Sequence, residues 1–523
     1  MQVEQFLTRS AQRYPEKTAL VAGGTRLRYR ELDRLSNRLA HRLEERGVQR
    51  GDRVAIYLEN TAEAVISIFG ALKAGAVFLV VNPGTKADKL AYILNNCRAV
   101  ALISDVKHGD TLEAVAGQAP SLRFLVVDSG AEKPWSSSLL PTLEWRESLE
   151  GLPASADRPP PQRGIDIDLA TIIYTSGSTG FPKGVMMTHL NVVTAATSIT
   201  QYLENTPDDI VLSVLPLSFD YGLYQALMTI LIGMTLVLEK SFAYPAVVLE
   251  KLEQERVTGF PIIPTVAAIL LQMKGLAPGR FPGLRYMTNT AAALPPAHIE
   301  RLQALFPKTR IFSMYGLTEC KRVSYLPPEQ LKHRPQSVGK AIPNTEVYVL
   351  DDRGERVGPG VVGELVVRGA HVMKGYWEKP EETARVLKPG PLPQEMVLHT
   401  GDLFRTDEEG YLYFVGRKDD IIKTRGEKVS PKEVEAVLHN LPGVAEAVVT
   451  GVPDEVLGQA IQAVIVPADG ATLTAGQVMA HCAQNLEPFM VPKFVEFRSS
   501  LPQTSTGKVS RRELGASAGK SRE

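Results

Sequence analysis

The chain has 523 residues, roughly three and a half times a 150-residue domain, which points to two or more compact units. Hydrophobic residues make up 44% and charged residues 22%, a globular balance that excludes disordered and collagen-like chains. The 58 Lys+Arg balance 58 Asp+Glu, so no net charge draws the chain to nucleic acid or to an anionic membrane. Cys97, Cys320 and Cys482 lie far apart without CxxC spacing. That argues against a disulfide framework or a cysteine zinc site and fits a reducing, cytoplasmic setting.

Met1 to Ser10 mixes charge and polarity where a signal peptide needs an apolar core, and it reads as the start of a helix. Leu32 to Arg46 has helical apolar spacing, Val54 to Leu58 a short buried strand, Ala62 to Ala76 a helix and Val77 to Val81 a strand closed by Asn82-Pro-Gly84. This alternation implies a parallel sheet covered on both faces. Ser129 to Pro161, rich in Ser, Pro and charge, reads as a surface connection to a second alternating block from Ala170 to about Phe312. The longest apolar stretch, Ala226 to Leu238, is interrupted and too short to span a bilayer, so no integral membrane segment is expected.

Beyond it, Val347 to Leu350, Gly363 to Arg368 and Tyr411 to Val415 are short strands between Gly/Pro/Asp turns, suggesting an antiparallel, barrel-like portion. Composition shifts near Gly416 to Asp420. A helix from Pro431 to Leu441, strands Glu446 to Gly451 and Ala460 to Val466, a helix Ala475 to Asn485 and a strand Phe494 to Phe497 then form a small α+β unit. The expected architecture is α/β: a large domain over 1–417 with parallel α/β subdomains and the barrel-like portion, then a small α+β domain over 418–523.

The segment Ile173-Tyr-Thr-Ser-Gly-Ser-Thr-Gly-Phe-Pro-Lys-Gly184 follows a strand and precedes a helix-like run from Asn191. Glycines let backbone approach a ligand closely, hydroxyls and amides donate to phosphate oxygens, and Lys183 adds positive charge. It lacks Walker spacing, because Lys183 stands between Pro182 and Gly184. A flexible surface turn is the bland reading of the loop by itself.

The loop resembles the signature of the AMP-forming adenylate-forming enzymes, which include acyl-CoA synthetases, amino-acid adenylation domains and luciferases. Further matches follow in the family's order: Met314-Tyr-Gly-Leu-Thr-Glu319, Thr400-Gly-Asp402, Gly416-Arg-Lys-Asp419, Lys423-Thr-Arg-Gly426 and Pro502-Gln-Thr-Ser-Thr-Gly-Lys508. The resemblance assigns Thr175, Ser176, Gly177, Ser178, Thr179, Gly180, Lys183, Tyr315 and Thr318 to the ATP/AMP site, Glu319 to Mg²⁺, and Asp402 and Arg417 to ribose and phosphate. Lys508 matches the lysine that bridges substrate carboxylate and α-phosphate; a cation there stabilises charge developing on the equatorial oxygens. Thr318, Glu319 and Lys508 are thus the implied catalytic residues. Asp419 matches a hinge, and Gly426 a thiol channel in which a missing Cβ leaves room for a pantetheine arm.

The acyl pocket implied by the resemblance comprises Asp220, Tyr221, Tyr224, Thr288, Thr290 and Met314. Amino-acid adenylation domains carry Phe-Asp at Phe219-Asp220, where the aspartate pairs with a substrate ammonium; a buried carboxylate needs such a cation. An aspartate at the surface, or capping a helix near Tyr221, is the competing reading. Gly426 to Glu435 and Gly451 to Asp454 look more like acyl-CoA synthetases. Cys320 reads as a small packed side chain, so the sulfur nucleophile comes from outside.

The expected function is ATP- and Mg²⁺-dependent acyl adenylation followed by transfer to the pantetheine thiol of CoA or of a separate acyl or peptidyl carrier protein. Alternatives are an amino-acid enzyme of proline-like specificity loading a peptidyl carrier protein, a luciferase-like oxygenase, and an inactive nucleotide-binding scaffold.

Overall fold

In the computed structural model the described residues are 1–130, 133–162, 164–175, 182–290, 293–424, 427–454, 457–502 and Leu514. Periodicity alone accounts for the first helices. Tyr29–Glu45 buries Leu32, Leu39, Ala40 and Leu43 along one stripe, whereas Ala62–Lys73 is largely apolar and buried at every position but Glu63. Thr61 caps the second helix by accepting from the Ala64 amide at 3.3 Å. Gly70 lets the two pack closely, since a Cβ there would meet Leu39 Cδ2 at 2.7 Å. Lys73 ends this buried helix; its ammonium donates to Asp33 Oδ1 at 2.6 Å and Asn37 Oδ1 at 2.7 Å, which offsets desolvation.

The chain packs as two units, the first comprising Met1–Gln336, Ala341–Glu346 and Val367–Leu398. It holds two largely parallel sheets. The first runs in the order Gly375–Tyr376, Lys183–Thr188, Leu169–Thr175, Val77–Val80, Arg53–Tyr57, Ala99–Asp105, Phe124–Asp128, Thr142–Glu144. The second runs Ser324–Leu326, Arg310–Tyr315, Tyr286–Asn289, Gly259–Ile262, Ile210–Ser213, Thr235–Leu238, Thr18–Ala22, Thr25–Arg28.

This arrangement differs from the chain-linear reading in two ways. The strand at Leu169–Thr175, expected to open the second block, pairs in parallel with Val77–Val80 of the first sheet, while the N-terminal hairpin Thr18–Arg28 joins the second. Ser129 to Pro161 is also more than a surface connection. Its Thr142–Glu144 extends the first sheet in parallel, and the helix Trp145–Glu150 buries Trp145 and Leu149. Parallel pairing is a long-range choice that local composition does not encode.

The second unit comprises Ser337–Lys340, Val347–Val366 and His399–Glu523. The strands Gly363–Arg368, Met396–Thr406 and Leu412–Arg417 lie side by side, the last two antiparallel. The C-terminal sheet has the order Glu427–Val429, Ile422–Thr424, Gly458–Pro467, Val444–Asp454, with Phe494–Phe497 parallel to Gly458–Pro467. Helices Pro431–His439 and Ala475–Asn485 close one core around Val434, Leu438, Val449, Ile461, Val478 and Cys482. Among the described residues, no helix is long and apolar enough to cross a membrane.

Candidate active site

The Gly/Ser/Thr segment joins two antiparallel strands. Thr175 is register partner of Lys183, and Tyr174 of Gly184, so the segment is the tip of a hairpin; the helix His189–Tyr202 begins only after the second strand. The expected strand–loop–helix order therefore omits the strand Lys183–Thr188. Ser176, Gly177, Ser178, Thr179 and Gly180 lie outside the described residues. At the hairpin's base Gly184 packs too tightly for any side chain, because a Cβ would meet Ile172 Cγ2 at 2.7 Å.

Beside the hairpin, Gly375–Tyr376 pairs with Lys183–Thr188 and brings in two groups. Lys183 Nζ lies 5.3 Å from the Tyr376 ring centroid, a cation–π distance. The Tyr376 hydroxyl donates to Glu319 Oε1 at 2.7 Å. Glu319 stands in a tight turn after the strand Arg310–Tyr315. A Cβ on Gly316 would meet the Lys321 carbonyl oxygen at 2.3 Å, and the Met373 amide donates to the Glu319 carbonyl at 2.7 Å. Lys183, Tyr376 and Glu319 thus gather beside the sheet edge, with Thr318 half-buried in the same turn as Glu319 and Tyr315 half-buried at the end of the preceding strand. Tyr376 was missed by sequence reasoning because an aromatic between Gly375 and Trp377 reads as packing.

Aromatic residues surround the implied acyl pocket. Asp220, Tyr221, Tyr224, Thr288, Thr290 and Met314 are all buried. Tyr221 donates to the Thr288 carbonyl at 2.8 Å, and its hydroxyl is 2.6 Å from Thr288 Oγ1. Asp220 is the first residue of the helix Asp220–Ile232, but it neither caps that helix nor lies at the surface. Its Oδ2 accepts from Lys321 Nζ at 3.2 Å. The buried carboxylate therefore already has a cation supplied by the chain, and the argument that a substrate ammonium must fill that role is overturned.

Lys321 and Arg322 follow the motif acid directly, and sequence reading passed over them because consecutive cations normally face solvent. Here both are buried. Lys321 Nζ is 4.4 Å from the Tyr224 ring centroid and 5.8 Å from that of Tyr221; Arg322 Cζ is 5.2 Å from the latter. Burial, with Arg322 adding repulsion and Asp220 pulling the other way, pushes the Lys321 ammonium down to about 7. Burial raises the Cys320 thiol well above its ordinary range, in keeping with a packed side chain.

Within the second unit Asp402 and Arg417 are register partners, and Arg417 Nε donates to Asp402 Oδ1 at 2.8 Å. The Asp402 side chain is 5% exposed and that of Arg417 58%. Gly401 takes φ +70° within the strand Met396–Thr406, just before Asp402, and its amide donates to Glu364 Oε1 at 3.1 Å. A hydrogen bond from His399, then the Lys418 charge and the Gly401 amide, hold Glu364 down to about 2 against burial. Asp419 is exposed in the turn that follows Arg417. Gly426 and Lys508 lie outside the described residues. Among the described residues no cluster of three or more His, Cys, Asp or Glu forms a metal cage. A lone carboxylate such as Glu319 suits Mg²⁺ held largely by substrate phosphates.

Comparison with known proteins gives the family. Residues 7–377 match the family model described as AMP-binding enzyme, and 433–508 the AMP-binding enzyme C-terminal domain. Feruloyl-CoA synthase of Amycolatopsis sp is 35% identical over 97% of this chain and 97% of its own. The long-chain-fatty-acid–CoA ligase of Bacillus subtilis (strain 168) is 31% identical over 98% of this chain and 94% of its own. The crystal structure of ATP-bound MatB from Rhodopseudomonas palustris superposes with TM-score 0.89 at 28% identity, covering 100% of both chains. The chain belongs to the AMP-binding enzyme family, the adenylate-forming superfamily, and is an ATP-dependent, AMP-forming acid–thiol ligase.

Proposed function

We propose that this enzyme makes an acyl-CoA in two half-reactions. In the first, a substrate carboxylate oxygen attacks the α-phosphorus of ATP, the bond to the bridging oxygen of pyrophosphate breaks, and an acyl adenylate forms. In the second, the CoA sulfur attacks the acyl carbonyl carbon and AMP departs. CoA is favoured over a carrier protein because the relatives reported above are CoA ligases. Three free, buried cysteines suit work in the reducing cytoplasm.

The observation that carries the assignment is the meeting of Lys183, Tyr376 and Glu319 at the base of the hydroxyl-rich hairpin. In this reading Thr175 and the hairpin tip donate to phosphate oxygens, Lys183 offsets their charge, and Thr318 contacts the α-phosphate. Glu319, held by the Tyr376 hydroxyl, would hold Mg²⁺ against the phosphates, and the ion would neutralise charge there. Tyr315 stacks on the base, Asp402 accepts from the ribose hydroxyls, and Arg417, exposed and anchored by Asp402, reaches a phosphate. Lys508 bridges the carboxylate and α-phosphate. Residues 418–523 pivot at Asp419 between half-reactions and bring Gly426 to the thiol path, so 417/418 is the functional domain boundary.

The test is carboxylate-dependent exchange of pyrophosphate into ATP. Lys508→Ala should lower exchange by at least about 100-fold, the scale of losing one transition-state charge contact. Thioester formation from a supplied acyl adenylate should survive. Equal loss of both half-reactions, or ADP as the product, would overturn the assignment.

A further inference from the structure

The wall of the acyl pocket carries more positive charge than it neutralises. Lys321 and Arg322 are 3% and 2% exposed, and among the described residues the only carboxylate paired with either is Asp220, bound to Lys321. Arg322 Nε is buried without a hydrogen-bond partner. The rest of its guanidinium meets a neutral group, the Tyr202 hydroxyl, which burial pushes up to about 12 while the Arg322 charge and hydrogen bond draw it back down. Tyr224, whose ring centroid is 4.4 Å from Lys321 Nζ, is 1% exposed, and its Oη is likewise buried without a partner.

A guanidinium offers five donors in a planar fork shaped for an oxyanion, and one taken out of water without a counter-charge costs several kcal/mol. The rings of Tyr221 and Tyr224 offset only part of that, about 0.5–2 kcal/mol per cation. Two unsatisfied donors and one uncompensated positive charge on a single wall describe a site completed by an anion from outside. From here the reasoning rests on the reading of this pocket as the acyl site. The reacting carboxylate is a poor occupant: it loses its charge on becoming an acyl phosphate, so a guanidinium bound to it would favour the ground state over the transition state. A second anionic group keeps its charge throughout, and gripping it positions the acid without opposing the chemistry.

We infer that the substrate is a carboxylic acid bearing a second oxyanion, which Arg322 and the Tyr224 hydroxyl bind at the far end of the pocket beside the Lys321–Asp220 pair. An ammonium-bearing acid is disfavoured there, since Asp220 is already paired and the remaining charge repels it.

Pyrophosphate exchange with the full-length enzyme tests this on acids matched in length: dicarboxylates, sulfocarboxylates, plain monocarboxylates and amino acids. Wild-type KM should be about 10- to 100-fold lower for an acid with a second oxyanion than for its monocarboxylate partner, the value of one or two charge-assisted hydrogen bonds. The dicarboxylate and sulfocarboxylate series then tell which oxyanion is preferred. Arg322→Met should erase that difference through KM, leaving kcat and the monocarboxylates little changed, and Arg322→Lys should restore part of it. A wild-type preference for plain or ammonium-bearing acids overturns the inference even if the variants do not fold, as does an Arg322→Met loss equal for every acid. Absence of exchange with all four series, with ATP binding retained, counts instead against the ligase reading.

Discussion

Breaking the buried pair between Asp220 and Lys321 offers the sharpest check on the pocket's electrostatics. The Lys321 side chain is 2% exposed and that of Asp220 10%, with 3.2 Å between charged atoms. Removing one partner strands the other charge in a site water hardly reaches, at a cost of about 3–5 kcal/mol. The first unit holds about 370 residues; at about 2.1 cal/mol/K each, its unfolding entropy is about 0.8 kcal/mol/K, so Lys321→Met, which strands the carboxylate, should lower its Tm by about 4–6 °C. Asp220→Asn should cost less, because Lys321, already down to about 7, sheds its proton once the carboxylate is gone. The double variant Asp220→Asn/Lys321→Met should recover most of the loss and melt within about 2 °C of wild type, because neither charge is then left uncompensated. Calorimetry at one fixed scan rate measures all four proteins. If the single effects simply add, the two groups do not interact, and the account of why Asp220 needs no substrate cation fails.

Two further outcomes follow from the same structure. Tyr376→Phe removes the hydroxyl that donates to Glu319 at 2.7 Å, a charge-assisted bond worth about 1.5–3 kcal/mol, so kcat/KM for pyrophosphate exchange should fall about 10- to 150-fold. An unchanged Mg²⁺ and ATP dependence with full activity would refute a role in holding that carboxylate. His371 is 1% exposed, and burial depresses its imidazole to about 4 although the nearby Arg322 carbonyl pulls it up. A folded value below the unfolded 6.5 means stability that is complete above pH 6.5 and lost as pH falls toward 4, about 3 kcal/mol in all. His371→Gln should lack that part of the acid limb, so the difference between variant and wild-type stability must narrow from pH 7 to pH 4; parallel curves would show that His371 titrates normally.

Much of the fold was legible because it depends on residues a few positions apart. The 3.6-residue spacing of Leu32, Leu39 and Leu43 and the β-rich run Arg53–Tyr57 report local burial, and the structure forms elements there with ends shifted by only a few residues. Likewise Gly401, at φ +70° inside its strand, gives the local backbone twist beside Asp402, and the tightly closed Gly316 shapes the turn carrying Glu319. Those motifs announce their chemistry because backbone geometry and functional atom lie in one short segment.

What the sequence by itself determined, then, is most of the strongly periodic elements, which segments carry phosphate-binding chemistry, and the family to which they point. Tertiary structure alone decided that Leu169–Thr175 crosses to the first sheet, that Tyr376 reaches Glu319, and that Lys321 and Arg322 are buried against Tyr221 and Tyr224. The reason is that a charge is cheap in water and expensive inside, so the meaning of Lys321 or Asp220 depends on which distant segment folds over it. Nothing within a few residues of either records that they will meet; the packing of the Asp220–Ile232 helix against the turn after Glu319 decides it.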